Sequence, residues 1–386
     1  MTLKISSRGA VPSFIVMDVM RRAGELESQG EHILHLEVGQ PATGAPRGVV
    51  DAVKNVLGKQ VLGYTDAFGI QPLRERIARY YSEHHDVKIS TDRIMATVGS
   101  SGGFVLAFLA AFDVGDNVAL ASPGYPAYRN ILTALGVNVI DIPVGAETNF
   151  QPTANHIENA AGQTPGGLDG LIIASPSNPT GTMIPATGLK DLVDVCAQHD
   201  IRMVSDEIYH GITYGDKASS LSQFTDQAII ANSFSKYYSM TGWRLGWMVL
   251  PEDLIRNVEC LAQNLFICPP AISQFAGVAA FDCSKELDGN VERYAKNRAM
   301  LLRELPNAGF DKLASADGAF YIYADISELT NDSQRFCQRM LKECGVATTP
   351  GVDFDPTRGH RFMRFSFARG YDDMEHACER LIKWNK

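Results

Sequence analysis

No run of five lysines or arginines occurs in the 386 residues, and acidic side chains outnumber basic ones 44 to 35, for a net charge of −9. That balance argues against a nucleic-acid partner and makes a small molecule the better default. No apolar stretch reaches the ~18 residues of a membrane span. The opening Met1-Thr-Leu-Lys-Ile-Ser-Ser-Arg-Gly also lacks the continuous apolar core of a secretory signal. A cytoplasmic protein with no membrane partner is therefore expected. Seven cysteines, at 196, 260, 268, 283, 337, 344 and 378, show no CxxC spacing, so no metal site is expected and they read as reduced core residues. Repeats and low-complexity linkers are missing too.

What is present is a large, ordinary globular composition, 45% hydrophobic, enough to bury a sizeable core in one large or two unequal domains. Residues 14–29 place apolar side chains at helical spacing and stop at Gly30, which predicts an amphipathic helix. A strand-like run, His32 to Val38, leads into the turn Gly39-Gln-Pro. From about residue 93, seven short apolar runs alternate with helix-length segments: 93–98, 117–121, 138–142, 170–174, 201–205, 228–231 and 245–250. This alternation predicts an α/β fold with a mainly parallel seven-stranded sheet covered by helices. Helices are predicted over 252–263 and 271–281, a charged helix follows Asp288, and strands at 318–324 and 360–368 flank a helix at 333–344. That mixed order predicts a smaller α+β domain built from the N- and C-terminal segments. The expected division is 1–45 and 286–386 for the small domain and 46–285 for the large one.

Ligands of such sheets gather at the carboxyl ends of the strands, and there the sequence places its unusual residues. Lys236, in Ala231-Asn-Ser-Phe-Ser-Lys-Tyr-Tyr-Ser-Met-Thr-Gly-Trp-Arg244, follows a buried-strand pattern. It is badly placed as a solvated charge and well placed to form an imine with an aldehyde. Gly99-Ser-Ser-Gly-Gly103 opens an apolar helix whose free amides suit a phosphate, although an ordinary N-cap fits the same letters more often. It has neither a P-loop ending nor GxGxxG spacing, which favours a simple phosphate ester over a nucleotide.

Asp206 closes an apolar strand in Met-Val-Ser-Asp-Glu-Ile-Tyr209, where an acid needs a cation. A protonated ring nitrogen, a salt bridge or a helix N-cap would each serve. Asn178, in Ser-Pro-Ser-Asn-Pro-Thr-Gly181, and Tyr209 could both bond a ring oxygen; a plain turn is the alternative for the first. Tyr125 offers a flat face for stacking or for simple packing. Arg244 could pair a phosphate, and Arg364, on an apolar strand, could grip a carboxylate bidentately; either could instead be a structural ion pair. Arg361 is expected to face away from Arg364 by strand alternation.

Together these residues resemble the class I/II aminotransferases, fold type I enzymes of the aspartate aminotransferase superfamily. Ser-Asn-Pro-Thr-Gly, Ser-Asp-Glu-Ile-Tyr and Ser-Phe-Ser-Lys with Gly-Trp-Arg-Leu-Gly stand in order and at the separations of that family, from Glu37 to Ala368. The resemblance implies pyridoxal 5'-phosphate held as an internal aldimine by Lys236, which then moves the proton between substrate and cofactor. It implies Asp206 on the pyridine nitrogen, Asn178 and Tyr209 on the ring oxygen, and Tyr125 stacked on the ring. Ser100, Ser101, Ser233 and Arg244 would form the phosphate cup. Arg364, with Asn178 and the Gly39 backbone, would hold the substrate carboxylate, with Tyr125 beside it. Tyr64, in Leu62-Gly-Tyr-Thr-Asp, matches a tyrosine that reaches the neighbouring subunit's phosphate, so a homodimer with shared catalytic sites is implied.

Two positions depart from the family's usual pattern: Gln40 stands where many members carry an acid, and Tyr125 where several aspartate-preferring members carry tryptophan. Arg8, Arg22 and Arg47 are candidates for a second carboxylate-binding arginine. The expected reaction is ping-pong transfer of an amino group from an L-amino acid to a 2-oxo acid, with 2-oxoglutarate as the common acceptor. A β- or γ-lyase of the same fold is the alternative. A cofactor-binding regulatory module fused to a DNA-binding domain is a third reading, opposed by the acidic charge and the absence of residues before Ser13 for a helix-turn-helix.

Overall fold

The computed structural model describes residues 3–384; the first two and last two residues of the expected terminal segments lie outside them. Thirteen strands are present among the described residues. In chain order they are β1 (Leu34–His35), β2 (Ile94–Thr97), β3 (Asn117–Ser122), β4 (Asn138–Pro143), β5 (Gly170–Ala174), β6 (Arg202–Asp206), β7 (Ile229–Ser233), β8 (Gly246–Val249), β9 (Lys312–Leu313), β10 (Tyr321–Asp325), β11 (Val346–Ala347), β12 (Thr349–Pro350) and β13 (Phe362–Ser366). The first five helices are α1 (Ile15–Ser28), α2 (Arg47–Val56), α3 (Gln71–His85), α4 (Gly99–Ala111) and α5 (Pro126–Leu135).

All seven strands anticipated between residues 93 and 250 form one sheet, in the order β2-β8-β7-β6-β5-β3-β4. Every neighbouring pair is parallel except those made by β8, which runs antiparallel to both β2 and β7. The carboxyl ends of β2, β3, β5, β6 and β7 therefore share one edge with the start of β8. Both faces are covered, as the period-2 pattern requires. Val118, Leu120, Ile172, Val204 and Ile229 enter one core with Phe104 and Phe108 of α4. Ala119, Leu171, Ile173, Met203 and Ile230 enter the opposite one with Ile77 and Tyr81 of α3. Successive apolar residues within a strand thus serve two cores at once, which is why the central runs read as continuous rather than alternating.

Beside this sheet stands a four-stranded antiparallel sheet, β12-β13-β10-β9, and the short parallel pair β1-β11. The pairing of Leu34 with Val346 and of His35 with Ala347 ties the N-terminal segment to the C-terminal one. Several predicted elements are shorter than the sequence pattern suggests. The strand expected over His32–Val38 is only β1, because Val38 and Gly39 leave the ladder to line a cavity. Arg361 lies in a 3-10 turn, Gly359–Arg361, before β13 begins. It is exposed through that turn and not through strand alternation.

Candidate active site

The shared strand edge bears a cavity lined by residues that are far apart in the chain. Ser100, Ser101, Tyr125, Asn178, Asp206, Tyr209, Lys236, Arg244, Arg364 and Gly39 all face it. Most arrive where a strand of the large sheet ends and the next turn, helix or loop carries a polar group over the sheet edge. Arg244 instead precedes β8, and Arg364 projects from the middle of β13 in the smaller sheet.

After β2, Gly99 adopts φ +66°, a left-handed conformation that glycine takes without penalty. The turn aims the first amides of α4 into the cavity, with Ser100 and Ser101 in its first turn. A Cβ on Gly99 would lie 2.5 Å from Nη2 of Arg244, so the guanidinium rests directly against the helix start. Arg244 itself is left-handed at φ 52°, a conformation uncommon for side-chain-bearing residues and concentrated at functional sites. Amides at a helix N-terminus, two hydroxyls and a guanidinium make a cradle for a dianion.

Asp206 ends β6 and is buried. Its Oδ2 accepts from the Tyr128 hydroxyl, and Oδ1 accepts from the Ile208 amide at 3.0 Å. Burial pushes its carboxyl up to about 6, against the pull of those two bonds. Among the described residues it forms no ion pair, so a cation brought into the cavity would complete its surroundings. Lys236 lies nearby, and its Nζ donates to the Gly39 carbonyl at 2.7 Å. Burial brings that amine down to about 8; the positive charge of Arg364 adds to the effect and Asp206 opposes it. An amine so depressed is available as a nucleophile and base near neutral pH.

Arg364 projects from β13 and is almost wholly buried. Nη1 donates to Asn178 Oδ1 at 2.6 Å, while Nη2 donates to the Glu37 carbonyl and to Thr349 Oγ1 at 3.2 Å. Its guanidinium sits 4.3 Å from the Tyr321 ring centroid and 4.7 Å from that of Phe354. Its Nε has no hydrogen-bond partner. The result is a buried cation within cation–π distance of two aromatic rings, with a guanidinium fork suited to a carboxylate.

Two sequence-predicted residues are not brought to the cavity. Ser233 is the last residue of β7 and is paired with Gly246. Its hydroxyl lies 2.9 Å from Ser235 Oγ and 3.1 Å from the Leu245 carbonyl, and it is Ser235 that lines the cavity. Tyr64 is 83% exposed within one chain. Arg22 pairs with Glu25 at 2.7 Å, Arg47 lies 3.7 Å from Asp51, and Arg8 is exposed in a 3-10 turn. The arginines lining the cavity are Arg244 and Arg364.

Other cavity residues escaped the sequence reading. Tyr128 is three residues beyond Tyr125, a helical spacing that could have revealed it. The Tyr321 hydroxyl lies 2.7 Å from that of Tyr209. A Cβ on Gly39 would stand 1.7 Å from the same hydroxyl, so only glycine fits there. Phe14, Val16 and Met17, at the start of α1, form an apolar wall; Phe14 meets the Tyr125 ring edge-on at 5.7 Å.

Fold and cavity together fit a phosphorylated pyridine aldehyde: an anion cradle, a buried acid awaiting a cation, and a depressed lysine amine. They define the class, enzymes that work through pyridoxal phosphate. The chain belongs to the family described as aminotransferase class I and II, whose model matches residues 31–381. It is an aminotransferase. It is 48% identical to a valine–pyruvate aminotransferase of Mycobacterium tuberculosis, over 100% of this chain and 99% of that protein. It is 29% identical to an aspartate aminotransferase of Sulfolobus acidocaldarius, over 100% and 98%. A crystal structure of an aminotransferase from Mycobacterium tuberculosis superposes with a TM-score of 0.96 at 48% identity, covering 99% of each chain. Thermus thermophilus aspartate aminotransferase with maleate superposes at 0.93 and 28% identity, covering 99% of this chain and 100% of that one.

Proposed function

We propose that the enzyme moves an amino group from an L-amino acid with a neutral, apolar side chain to a 2-oxo acid by a ping-pong route. The observation that carries the donor class is the wall formed by Phe14, Val16 and Met17, in a cavity whose arginines are Arg244 and Arg364. Bound pyridoxal phosphate supplies an aldehyde carbon that condenses with amines and a protonated ring that accepts the electrons left when the substrate's α-proton departs.

The chain's residues do the rest in this reading. Ser100, Ser101 and Arg244 hold the phosphate. Asp206, kept in place by Tyr128, retains the proton on the ring nitrogen. Asn178 and Tyr209 would bond the ring oxygen, and Tyr125 would cover the ring face. Arg364 with Asn178 fixes the substrate carboxylate, which orients the α-C–H bond. Lys236 Nζ would act as the base that takes the substrate's α-proton and the acid that gives it back. Residues 46–285 act as the cofactor-binding domain, with 1–45 and 286–386 as the second domain.

The acceptor follows from the same charges. A monocarboxylate such as pyruvate, named for the Mycobacterium relative, needs only Arg364. 2-Oxoglutarate, the acceptor suggested by the family resemblance, needs a second cation, which Arg8, Arg22 and Arg47 do not supply from within one chain. We place the enzyme in amino-acid metabolism, in the cytoplasm, as a homodimer. Exposure of Tyr64 at 83% and Val61 at 97% on one loop supports a subunit contact there that delivers Tyr64 to the partner's site. Among the described residues no helix is long and apolar enough to cross a membrane, and the net charge of −9 disfavours nucleic acid.

The test is to convert the cofactor to its amine form with an amino donor and then add pyruvate or 2-oxoglutarate. Return of the aldehyde form with pyruvate at the lower concentration is expected. Preference for 2-oxoglutarate contradicts the acceptor assignment. Ammonia release without acceptor identifies a lyase instead.

A further inference from the structure

Helix α1 supplies the apolar wall, yet its own sequence does not cap it. Phe14 occupies the N-cap position and makes no side-chain cap bond, so the leading amides need acceptors from elsewhere. They find them 338 residues along the chain. Oδ1 of Asp353 accepts from the Ile15 amide at 2.9 Å, and Oδ2 accepts from the Val16 amide at 3.2 Å. A carboxylate bridging two amides at the positive end of a helix is a favourable pairing. Burial raises the Asp353 carboxyl above its ordinary range, while those two amides and the charge of Arg364 pull it back.

The neighbours of Asp353 belong to the carboxylate anchor. Phe354 lies under the Arg364 guanidinium, and Thr349 Oγ1 accepts from its Nη2. The short stretch 349–354 therefore touches both Arg364 and the helix bearing Phe14, Val16 and Met17. One segment links the group that would fix the substrate's carboxylate to the surface that would meet its side chain.

We propose that Asp353 is a positioning residue for substrate selectivity, holding the start of α1 so that Phe14, Val16 and Met17 close on an apolar substrate side chain. The inference rests on the transamination reading above. A donor whose side chain is a single methyl group gains little from the wall, and one with a larger apolar side chain gains most. Loss of the cap therefore acts on donors by size and not uniformly.

The experiment compares the holoenzyme with Asp353→Asn and Asp353→Ala. Asp353→Asn keeps one acceptor oxygen and stands in should Asp353→Ala fail to fold. The readouts are KM and kcat for L-alanine and L-valine in the first half-reaction, and amide hydrogen exchange over residues 15–18 in both apoenzyme and holoenzyme. Asp353→Ala is expected to raise KM for valine by about tenfold, the effect of losing one strong cap. KM for alanine changes much less, kcat for alanine is retained, and exchange at 15–18 accelerates. Asp353→Asn falls between. Equal losses for both donors, or exchange at 15–18 unchanged, overturns the proposal. Should the wild type convert its cofactor with no amino acid, the transamination reading fails, while the exchange result still decides whether Asp353 holds α1.

Discussion

Tyr128 and Asp206 meet at the carboxyl edge of the large sheet, the phenol of α5 donating to Oδ2 of the acid that ends β6. Both groups are buried, and this contact joins the element carrying Tyr125 to the acid expected at the cofactor's ring nitrogen. Tyr128→Phe removes a hydrogen bond to a charged group, a loss of about 1.5–3 kcal/mol. A fall in kcat of about 10- to 100-fold is expected, with the cofactor bound more weakly. Unchanged kcat and cofactor affinity would show that the phenol only packs.

Arg364 packs near the rings of Tyr321 and Phe354 and is bonded to Asn178. Arg364→Lys keeps a charge but loses the fork that matches a carboxylate. KM for the amino donor should rise by about two orders of magnitude, as for the loss of a charge-assisted pair. The absorbance of the lysine-bound cofactor should remain. Loss of that absorbance would mean that Arg364 chiefly supports the cofactor.

The Lys236 amine, brought down to about 8, is protonated below that pH and neutral above it. Capture of pyridoxal phosphate by the apoenzyme requires the neutral form. Its rate should fall about tenfold for each pH unit below 8 and level off above. A break nearer the ordinary lysine value would contradict the assigned burial effect.

Directly after Asp206 in the chain, Glu207 is buried. Its Oε1 accepts from the Leu221 amide at 2.8 Å and from Ser220 Oγ at 3.1 Å, while Oε2 has no hydrogen-bond partner. Burial raises its carboxyl to about 7. A folded value above the unfolded one favours the protonated form, so this contribution to stability is complete below about 4.5 and is lost as pH rises through about 7. Glu207→Gln keeps an acceptor and stays neutral. The variant should lose less thermal stability than wild type between pH 5 and 8, by on the order of 2 kcal/mol. Parallel melting curves across that range would count against a titrating Glu207.

Much of this was legible in the chain, for physical reasons that also mark its limits. The large-sheet strands could be read because most of them bury both faces and show an apolar run between turn formers; the edge strand β4, with Asn138 and Asp141 exposed, was legible from Val139, Ile140 and Ile142 alone. Lys236, Asp206 and Asn178 could be read because a polar residue at or just beyond the end of such a run needs a reason, and Arg364 because a charge on an otherwise apolar strand does. Tyr128 and Tyr321 could not, since a tyrosine within an apolar pattern is indistinguishable from packing until its hydroxyl's partner is known. Asp353 left no local signal at all, because the amides it caps lie at the opposite end of the sequence. Ser233 pairs with Gly246 at the end of β7, and it is Ser235, bonded to the Ser233 hydroxyl, that faces the cavity. The role proposed for Tyr64 rests on the family resemblance, since within one chain the residue is exposed.

The central claim, that Lys236 and its surroundings carry out transamination of apolar L-amino acids, is tested most directly by one half-reaction. Wild-type holoenzyme and Lys236→Ala are mixed with L-valine and no acceptor, and cofactor absorbance is followed with the 2-oxo acid released. Wild type should pass to the amine form of the cofactor and release one 2-oxo acid per site, while Lys236→Ala should release none. A wild type that leaves its cofactor unchanged across a panel of apolar L-amino acids, or a Lys236→Ala variant that turns over at the wild-type rate, contradicts the account.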